Sequence, residues 1–131
     1  TAATSARMRQ LMRMIVVDGT GNQADALGYR VGGKTGSAEK PGVGGYSRNL
    51  VVSTFASAFP MDNPRYVVLA MLDEPQGTEA SSFQRTAGFT AAPVVRKTIT
   101  RIGPLMGIIP DMKRDVDVSE LMPLLWKAKG E

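Results

Sequence analysis

The chain has 131 residues, of which 43% are hydrophobic, a size that fits one domain or part of a larger one. Because it contains no cysteine and no histidine, thiolate chemistry, disulfides, imidazole catalysis and histidine-ligated metals are excluded, and acid-base work falls to Lys, Asp, Glu, Tyr or a hydroxyl. The net charge of +4 is scattered, without a basic run or an aromatic-interleaved stripe, so nucleic acid is not an expected partner.

The first predicted element is an amphipathic helix. Thr4 or Ser5 is its expected N-cap, and Gly19 with Gly21 ends it. Its apolar residues recur at helical spacing, which predicts that they face a core: Met8, Leu11, Met12, Ile15 and Val16. A polar connector over residues 20–27 follows.

Three strand patterns come next, separated by short loops. The first covers residues 29–40, and residues 41–45 form the loop behind it. The second, at 49–59, is rich in Val, Thr and Phe, and 60–64 is a strong turn signal. The third, at 65–73, has the composition of a buried strand.

The C-terminal part begins with a polar loop and a second helix. The pattern at 90–102 predicts a helix with Pro93 in its first turn, stopped by Pro104 and Gly107. Residues 112–131 are a charged tail outside the domain portion at 1–111, and whether 119–126 form a short helix or are disordered stays open. The order helix, three strands, helix favours an α+β fold, with N-terminal and C-terminal helices packed on an antiparallel sheet.

The tetrad Lys34-Thr35-Gly36-Ser37 is the most informative stretch, and two interpretations compete for it. Residues 28–35 spell G-x-x-x-x-G-K-T, the pattern of a phosphate loop in a nucleotide-binding protein. Such a loop must follow a buried strand and open a helix, so that backbone N–H groups face the phosphates. Here a polar segment precedes Gly28, and Pro41-Gly42 follows too soon for a helix, so this context disfavours a nucleotide site.

The other interpretation is a strand at the edge of an acyl-transfer site. Lys-Thr-Gly, together with S-x-x-K and S-D-N, is the signature of serine β-lactamases and penicillin-binding proteins. Gly36 would let a ligand lie against the strand, because a Cβ there would block its approach. A peptide could then pair as an extra strand with the backbone of Ser37.

The sequence around the tetrad favours the second interpretation. It resembles the class B penicillin-binding proteins, the bacterial peptidoglycan transpeptidases, in the helix end, the tetrad strand, the next two strands and the entry to the closing helix: residues 14–21, 28–40, 55–68, 72–75, 86–88, 91–94 and 107–111. The resemblance covers about residues 5–111 and implies their penicillin-binding, β-lactamase-like fold. The Asp-Glu-Pro ending at 73–75 and the short loop after the tetrad resemble the septal, division type more than the elongation type.

The resemblance also implies roles for the tetrad. Lys34, Thr35 and Gly36 would belong to the catalytic site, with Lys34 close to the nucleophilic serine, where it would assist proton transfer. Thr35 and Ser37 would bind the terminal carboxylate of a D-Ala-D-Ala stem peptide or of a β-lactam through their hydroxyls. The Ser37 N–H would be one oxyanion-hole donor. No metal or other cofactor is expected.

The nucleophile of this family is missing from the chain. It lies in an S-x-x-K motif upstream of the tetrad, with S-x-N between them, whereas Ser37–Lys40 and Ser47–Asn49 match these patterns only in spelling and in the wrong order. We therefore expect part of a serine D,D-transpeptidase that is inactive alone and needs the N-terminal part of its domain. A non-enzymatic cell-wall binding module stays open as an alternative.

The resemblance implies a location and partners as well. The expected location is the bacterial cell envelope, on the periplasmic side of the inner membrane, with the anchor outside this chain. Stem peptides and β-lactams are the expected ligands, and division proteins are candidate partners. An exposed sheet edge could also pair with a second copy of the chain.

Overall fold

The computed structural model describes residues 1–125, without the side chains of Arg48 and Asn49. Its helices and strands are α1 (Ala2–Asp18), β1 (Gly32–Gly42), β2 (Gly45–Phe59), β3 (Tyr66–Asp73) and α2 (Ala91–Leu105), with 3₁₀ turns at Asn22–Ala24, Glu79–Ser81 and Ser119–Leu124. The strands form one antiparallel sheet in the order β1-β2-β3, so the predicted α+β fold is confirmed. Within residues 1–125 no helix is long and apolar enough to cross a membrane.

Helix α1 starts earlier than predicted. Its N-cap is Thr1, whose hydroxyl accepts a hydrogen bond from the Thr4 N–H at 3.1 Å, so the predicted caps at Thr4 and Ser5 are wrong. The helix does end at Gly19 as predicted. Thr1 can act as the cap because the three residues after it continue directly into the helical pattern.

The apolar stripe predicted to face the core is only partly buried. Met8 is 49% exposed and Leu11 is 42% exposed, whereas Arg13, Met14 and Val16 are buried. The prediction failed because the ion-paired Arg13 occupies the covered face of α1. A prediction from helical spacing places only apolar residues on that face and assigns an arginine to the solvent.

The strand bounds differ from the predicted ones at the turns. Strand β1 begins only at Gly32, because Gly28 and Arg30 have φ values of 79° and 51° that interrupt extended backbone. The predicted loop at 41–45 shrinks to Val43-Gly44, because β1 and β2 extend up to the hairpin turn. The predicted turn at 60–64 is confirmed and joins β2 to β3.

Strand β3 is buried on one face, not on both as predicted. Tyr66, Val68, Ala70 and Leu72 pack against the core, while the residues between them point to the opposite face of the sheet. Three of these are exposed by about two thirds or more: Val67 at 76%, Leu69 at 64% and Met71 at 66%. We call this apolar surface the outer face of the sheet.

The core lies between the inner face of the sheet and α2. Phe55 and Phe59 of β2 contribute its largest fully buried side chains, and Val95 and Ile99 of α2 are fully buried in the same cluster. The ring of Tyr29 packs edge-on against Phe59, with ring centroids 6.3 Å apart. Helix α2 was predicted correctly, except that Pro104 lies within its last turn instead of ending it.

The tail is attached to α1 by ionic contacts. Arg13 donates two hydrogen bonds to the carboxylate of Asp115, at 2.7 and 2.6 Å, one to Asp25 at 3.0 Å and one to the Val31 carbonyl at 2.9 Å. Burial disfavours the charge of Arg13, but the hydrogen bonds and charges of Asp115 and Asp25 outweigh it and raise the pKa of Arg13.

A second contact of the tail lies beside the first. Asp62 binds Arg30 at 2.6 Å and also binds Arg114 of the tail. Farther along, the tail residues Ser119–Leu124 form a 3₁₀ helix with Leu121 buried, and Trp126 lies outside the described residues. The domain boundary at residue 111 stays a prediction, although the tail contacts the rest of the chain.

Candidate functional site

The tetrad lies in the middle of β1, at the edge of the sheet. Thr35 pairs with Phe55 and Ser37 with Ser53, so both hydroxyl side chains project from the inner face, and Lys34 and Gly36 belong to the outer face. Within residues 1–125 the other edge of β1 has no partner strand. The backbone of the tetrad is therefore available to a peptide that pairs as an added strand.

A pocket of about 650 Å³ opens beside the tetrad. Thr35 and Ser37 form one wall. The other walls are the end of α1 at Asp18, the connector behind it and the loop at 86–89. A pocket of this size with hydroxyl groups on one wall can hold the polar end of a small molecule or peptide.

The side chains of the tetrad are held by short polar contacts. Lys34 is exposed, and its Nζ donates to the Thr35 carbonyl at 2.7 Å and to Thr35 Oγ1 at 3.3 Å. Ser37 Oγ accepts a hydrogen bond from the Ala87 N–H at 3.1 Å, which ties the strand to the loop at 86–89. One ammonium and two hydroxyls thus lie within four consecutive positions of one strand.

The packing of β2 against β1 gives a second reason for a glycine at position 36. A Cβ at this position would lie 2.5 Å from Thr54 Oγ1, and the Thr54 hydroxyl donates to the Gly36 carbonyl at 3.2 Å. The neighbouring strand therefore requires a glycine here whether or not a ligand approaches. The sequence suggested only the ligand, because Thr54 could not be paired with Gly36 before the register was known.

The phosphate-loop interpretation fails in the structure. Lys34 and Thr35 lie inside a strand that continues to Gly42, so no helix begins after them and no helix N-terminus faces a phosphate. Lys40, the last residue of the coincidental S-x-x-K spelling, also lies in β1, and its Nζ binds Asp73 at 2.9 Å and Glu74 at 2.7 Å. The hydrogen bonds that Lys40 donates to Glu74 and Asp73 raise the pKa of Lys40.

Two parts of the site were missed from the sequence. Thr20 follows α1, and its hydroxyl lies 3.1 Å from the hydroxyl of Thr35. The loop at 86–89 forms another wall of the pocket, although its sequence predicts only a segment leading into α2. A hydroxyl residue between two glycines, as in Gly19-Thr20-Gly21, is a signal that could have drawn attention to the first of them.

Comparisons with known proteins agree with the fold. Residues 1–100 match the family described as penicillin binding protein transpeptidase domain. A probable peptidoglycan D,D-transpeptidase FtsI of Caulobacter vibrioides is 45% identical over 114 residues, which is 80% of this chain and 19% of that protein. Stage V sporulation protein D of Bacillus subtilis is 37% identical over 107 residues, 82% of this chain and 16% of that protein.

Solved structures of penicillin-binding proteins also match the fold of this chain. The transpeptidase domain of penicillin-binding protein 3 from Burkholderia pseudomallei superposes with a TM-score of 0.73 at 30% identity, over 86% of this chain and 33% of that one. Penicillin-binding protein 3 of Mycobacterium tuberculosis, complexed with ampicillin, gives a TM-score of 0.71 at 29% identity, over 90% and 28%.

The fold and these matches define part of a transpeptidase domain. The chain belongs to the penicillin-binding protein transpeptidase family, among the class B members of the septal type. The resemblance found in the sequence is therefore confirmed. The chain spans about a fifth of the length of the curated relatives, 19% of the Caulobacter protein.

Proposed function

We propose that this chain forms one wall of the acylation site of a peptidoglycan D,D-transpeptidase. The observation that supports this proposal is the grouping of Thr35 and Ser37 in one pocket, with the Lys34 ammonium 3.3 Å from the Thr35 hydroxyl. Hydroxyl donors beside a cation suit a carboxylate. The proposed ligands are stem peptides that end in D-Ala-D-Ala and β-lactams, both of which carry one.

The proposed reaction is acyl transfer through a serine ester. A serine outside this chain attacks the carbonyl carbon of the penultimate D-Ala, the bond to the terminal D-Ala nitrogen breaks, and that nitrogen takes a proton. An amine of a second stem peptide then attacks the ester and releases the serine. Lys34 supplies positive charge and assists proton transfer, and the Ser37 N–H is one donor to the oxyanion.

The remaining part of the domain completes this site and covers the outer face of the sheet. Val67, Leu69 and Met71 form an exposed apolar row there, at 64–76% exposure, which is unfavourable in water. The outer edge of β3 also has no partner strand within residues 1–125. When the remaining part is absent, the same edge could pair with a second copy of the chain.

The proposed location is the bacterial cell envelope, on the periplasmic side of the inner membrane, with the anchor outside this chain. The septal type of the relatives supports this location and supports division proteins as partners. Family membership favours this enzymatic role over a non-enzymatic cell-wall binding module.

Labelling with a fluorescent penicillin tests the proposed function. The full-length protein that contains this chain should form a stable covalent adduct, and an excess of a D-Ala-D-Ala peptide should slow its formation. The isolated 131-residue chain should remain unlabelled, because it lacks the serine motif upstream of the tetrad. Robust labelling of the isolated chain, or none of the full-length protein, would overturn the proposal.

A further inference from the structure

The polar contacts of Thr20 set it apart from the rest of the connector. It lies just beyond the end of α1, and its Oγ1 is 3.1 Å from Thr35 Oγ1 across the pocket wall. Its carbonyl packs so closely on the loop at 86–89 that a Cβ on Gly88 would lie 2.5 Å from it. Thr20 therefore joins the end of α1, the tetrad strand and the pocket loop.

The backbone on both sides of Thr20 is fixed. The Gly21 N–H donates to the Ile15 carbonyl at 3.0 Å, and the Asn22 N–H donates to the Gly19 carbonyl at 3.2 Å. A Cβ on Gly21 would lie 2.9 Å from the ring of Phe55, which is fully buried. The Thr20 hydroxyl is thus presented to Thr35 from a rigid turn and not from a loose loop.

The hydrogen bonds at Thr35 Oγ1 restrict the direction of its proton. A hydroxyl has one hydrogen to donate and two lone pairs that accept, whereas an ammonium can only donate. Lys34 Nζ, at 3.3 Å, therefore occupies one lone pair of Thr35 Oγ1. If Thr20 donates into the second lone pair, the Thr35 hydrogen remains free, and a ligand carboxylate in the pocket is its acceptor.

We propose that Thr20 is a positioning residue that donates its hydroxyl hydrogen to Thr35 and so turns the Thr35 hydroxyl into a donor to the ligand carboxylate. This inference rests on the proposed function, in which Thr35 binds that carboxylate. Thr20 acts through Thr35 and does not itself touch the ligand. The two hydroxyls form a chain of donors in which each hydrogen bond polarises the next.

The test compares acylation by benzylpenicillin with acylation by its methyl ester, which lacks the carboxylate. In the full-length protein, Thr20→Val keeps the shape of the side chain but removes its hydroxyl. It should slow acylation by the free acid by about five-fold, the size expected for one neutral hydrogen bond, because the Thr35 hydroxyl is then neither polarised nor held toward the carboxylate. Acylation by the ester should slow by less than about two-fold. The ratio of the two rates is measured within one sample, so a partly unfolded variant does not alter it.

Two further variants complete the test. Thr20→Ser keeps the hydroxyl and should retain the wild-type ratio, and adding Thr20→Val to Thr35→Val should change neither rate further. An equal loss with acid and ester, a loss in Thr20→Ser like that in Thr20→Val, or an additive loss in the double variant would overturn the role of Thr20. Failure of the wild-type protein to be acylated by either compound would instead overturn the proposed function.

Discussion

The start of strand β1 and the tetrad within it use polar groups in opposite ways. Where the strand begins, Arg13 and Arg30 are buried, and each is bound to at least one carboxylate and to a backbone carbonyl. In the middle of the strand, Lys34 and Ser37 are exposed. Buried charges must be paired to be tolerated, whereas a binding group must keep a donor for its ligand. The ion-paired arginines at the start of β1 therefore serve the packing of the chain, whereas the exposed side chains of the tetrad remain available to bind a ligand.

The largest expected effect separates Lys34 from the other lysine of β1. In the full-length protein, Lys34→Ala should slow penicillin acylation by about a thousand-fold, because it removes the positive charge beside Thr35 in the proposed site. The matched control is Lys40→Ala, which loses only exposed ion pairs with Asp73 and Glu74 and should change the rate little. The rates are measured from quenched time courses of labelling with a fluorescent penicillin. Similar rates for the two variants would contradict the proposed catalytic role of Lys34.

The second largest expected effect is on stability, at the start of strand β1. Arg13→Ala should lower the free energy of unfolding by about 3 kcal/mol, because it removes a buried guanidinium from two partly exposed carboxylates and leaves the buried Val31 carbonyl without its donor. Arg7→Ala, on the same helix, removes only an exposed pair with Glu120 and should cost less than about 1 kcal/mol.

Urea unfolding of both arginine variants in the full-length protein measures this difference. Equal losses for Arg13→Ala and Arg7→Ala would show that the cluster at the start of β1 does not anchor the strand. The fraction of Arg13→Ala that is still folded should be acylated at the wild-type rate, since its substitution leaves the tetrad untouched.

Gly36 can decide between its two roles. Gly36→Ala should cost about 2 kcal/mol of stability through the clash with Thr54, and should also slow acylation. Adding Thr54→Ala removes the clashing atom and should recover most of the stability. If a ligand lies against Gly36 as proposed, acylation stays slow in the double variant; full recovery of acylation would assign the glycine to strand packing alone.

The smallest expected effect is a pH dependence at Asp62. Burial raises the pKa of Asp62, but the hydrogen bond from Arg30 and the charges of Arg30 and Arg114 outweigh it, and the pKa lies below the ordinary value of 3.8. A lowered pKa stabilises the folded state above the unfolded-state value, and this contribution is lost as the pH falls through the folded-state pKa.

Thermal unfolding between pH 7 and pH 2 can isolate the contribution of Asp62. Wild type should be more stable than Asp62→Asn at neutral pH, and the difference should shrink below about pH 4 because Asp62 is then protonated. A difference that stays constant down to pH 2 would contradict the role of the ionised carboxylate.

The sequence was informative where local patterns carry the structure. The strand at 49–59, the turn at 60–64 and the helix after 90 follow from Val, Thr and Phe content, proline and helical spacing. The tetrad itself was identified from its neighbours along the chain. These features depend on residues that are close in sequence.

The features that were missed depend on contacts between distant residues. The burial of Arg13 depends on Asp115, which lies 102 positions away. The exposure of Val67, Leu69 and Met71 depends on what covers the sheet, and the part of Thr20 in the site depends on where α1 ends relative to β1. Periodicity cannot reveal any of these, because each is set by the packing of whole elements.

The pairing of Arg13 with Asp115 also bears on the order in which the chain assembles. A ribosome makes α1 before α2 and the tail, so Asp25 and the Val31 carbonyl are available to the Arg13 guanidinium early, whereas its bidentate partner Asp115 is added only after α2. We therefore expect α1 to gain its full stability only after the tail has left the ribosome and Asp115 can bind Arg13.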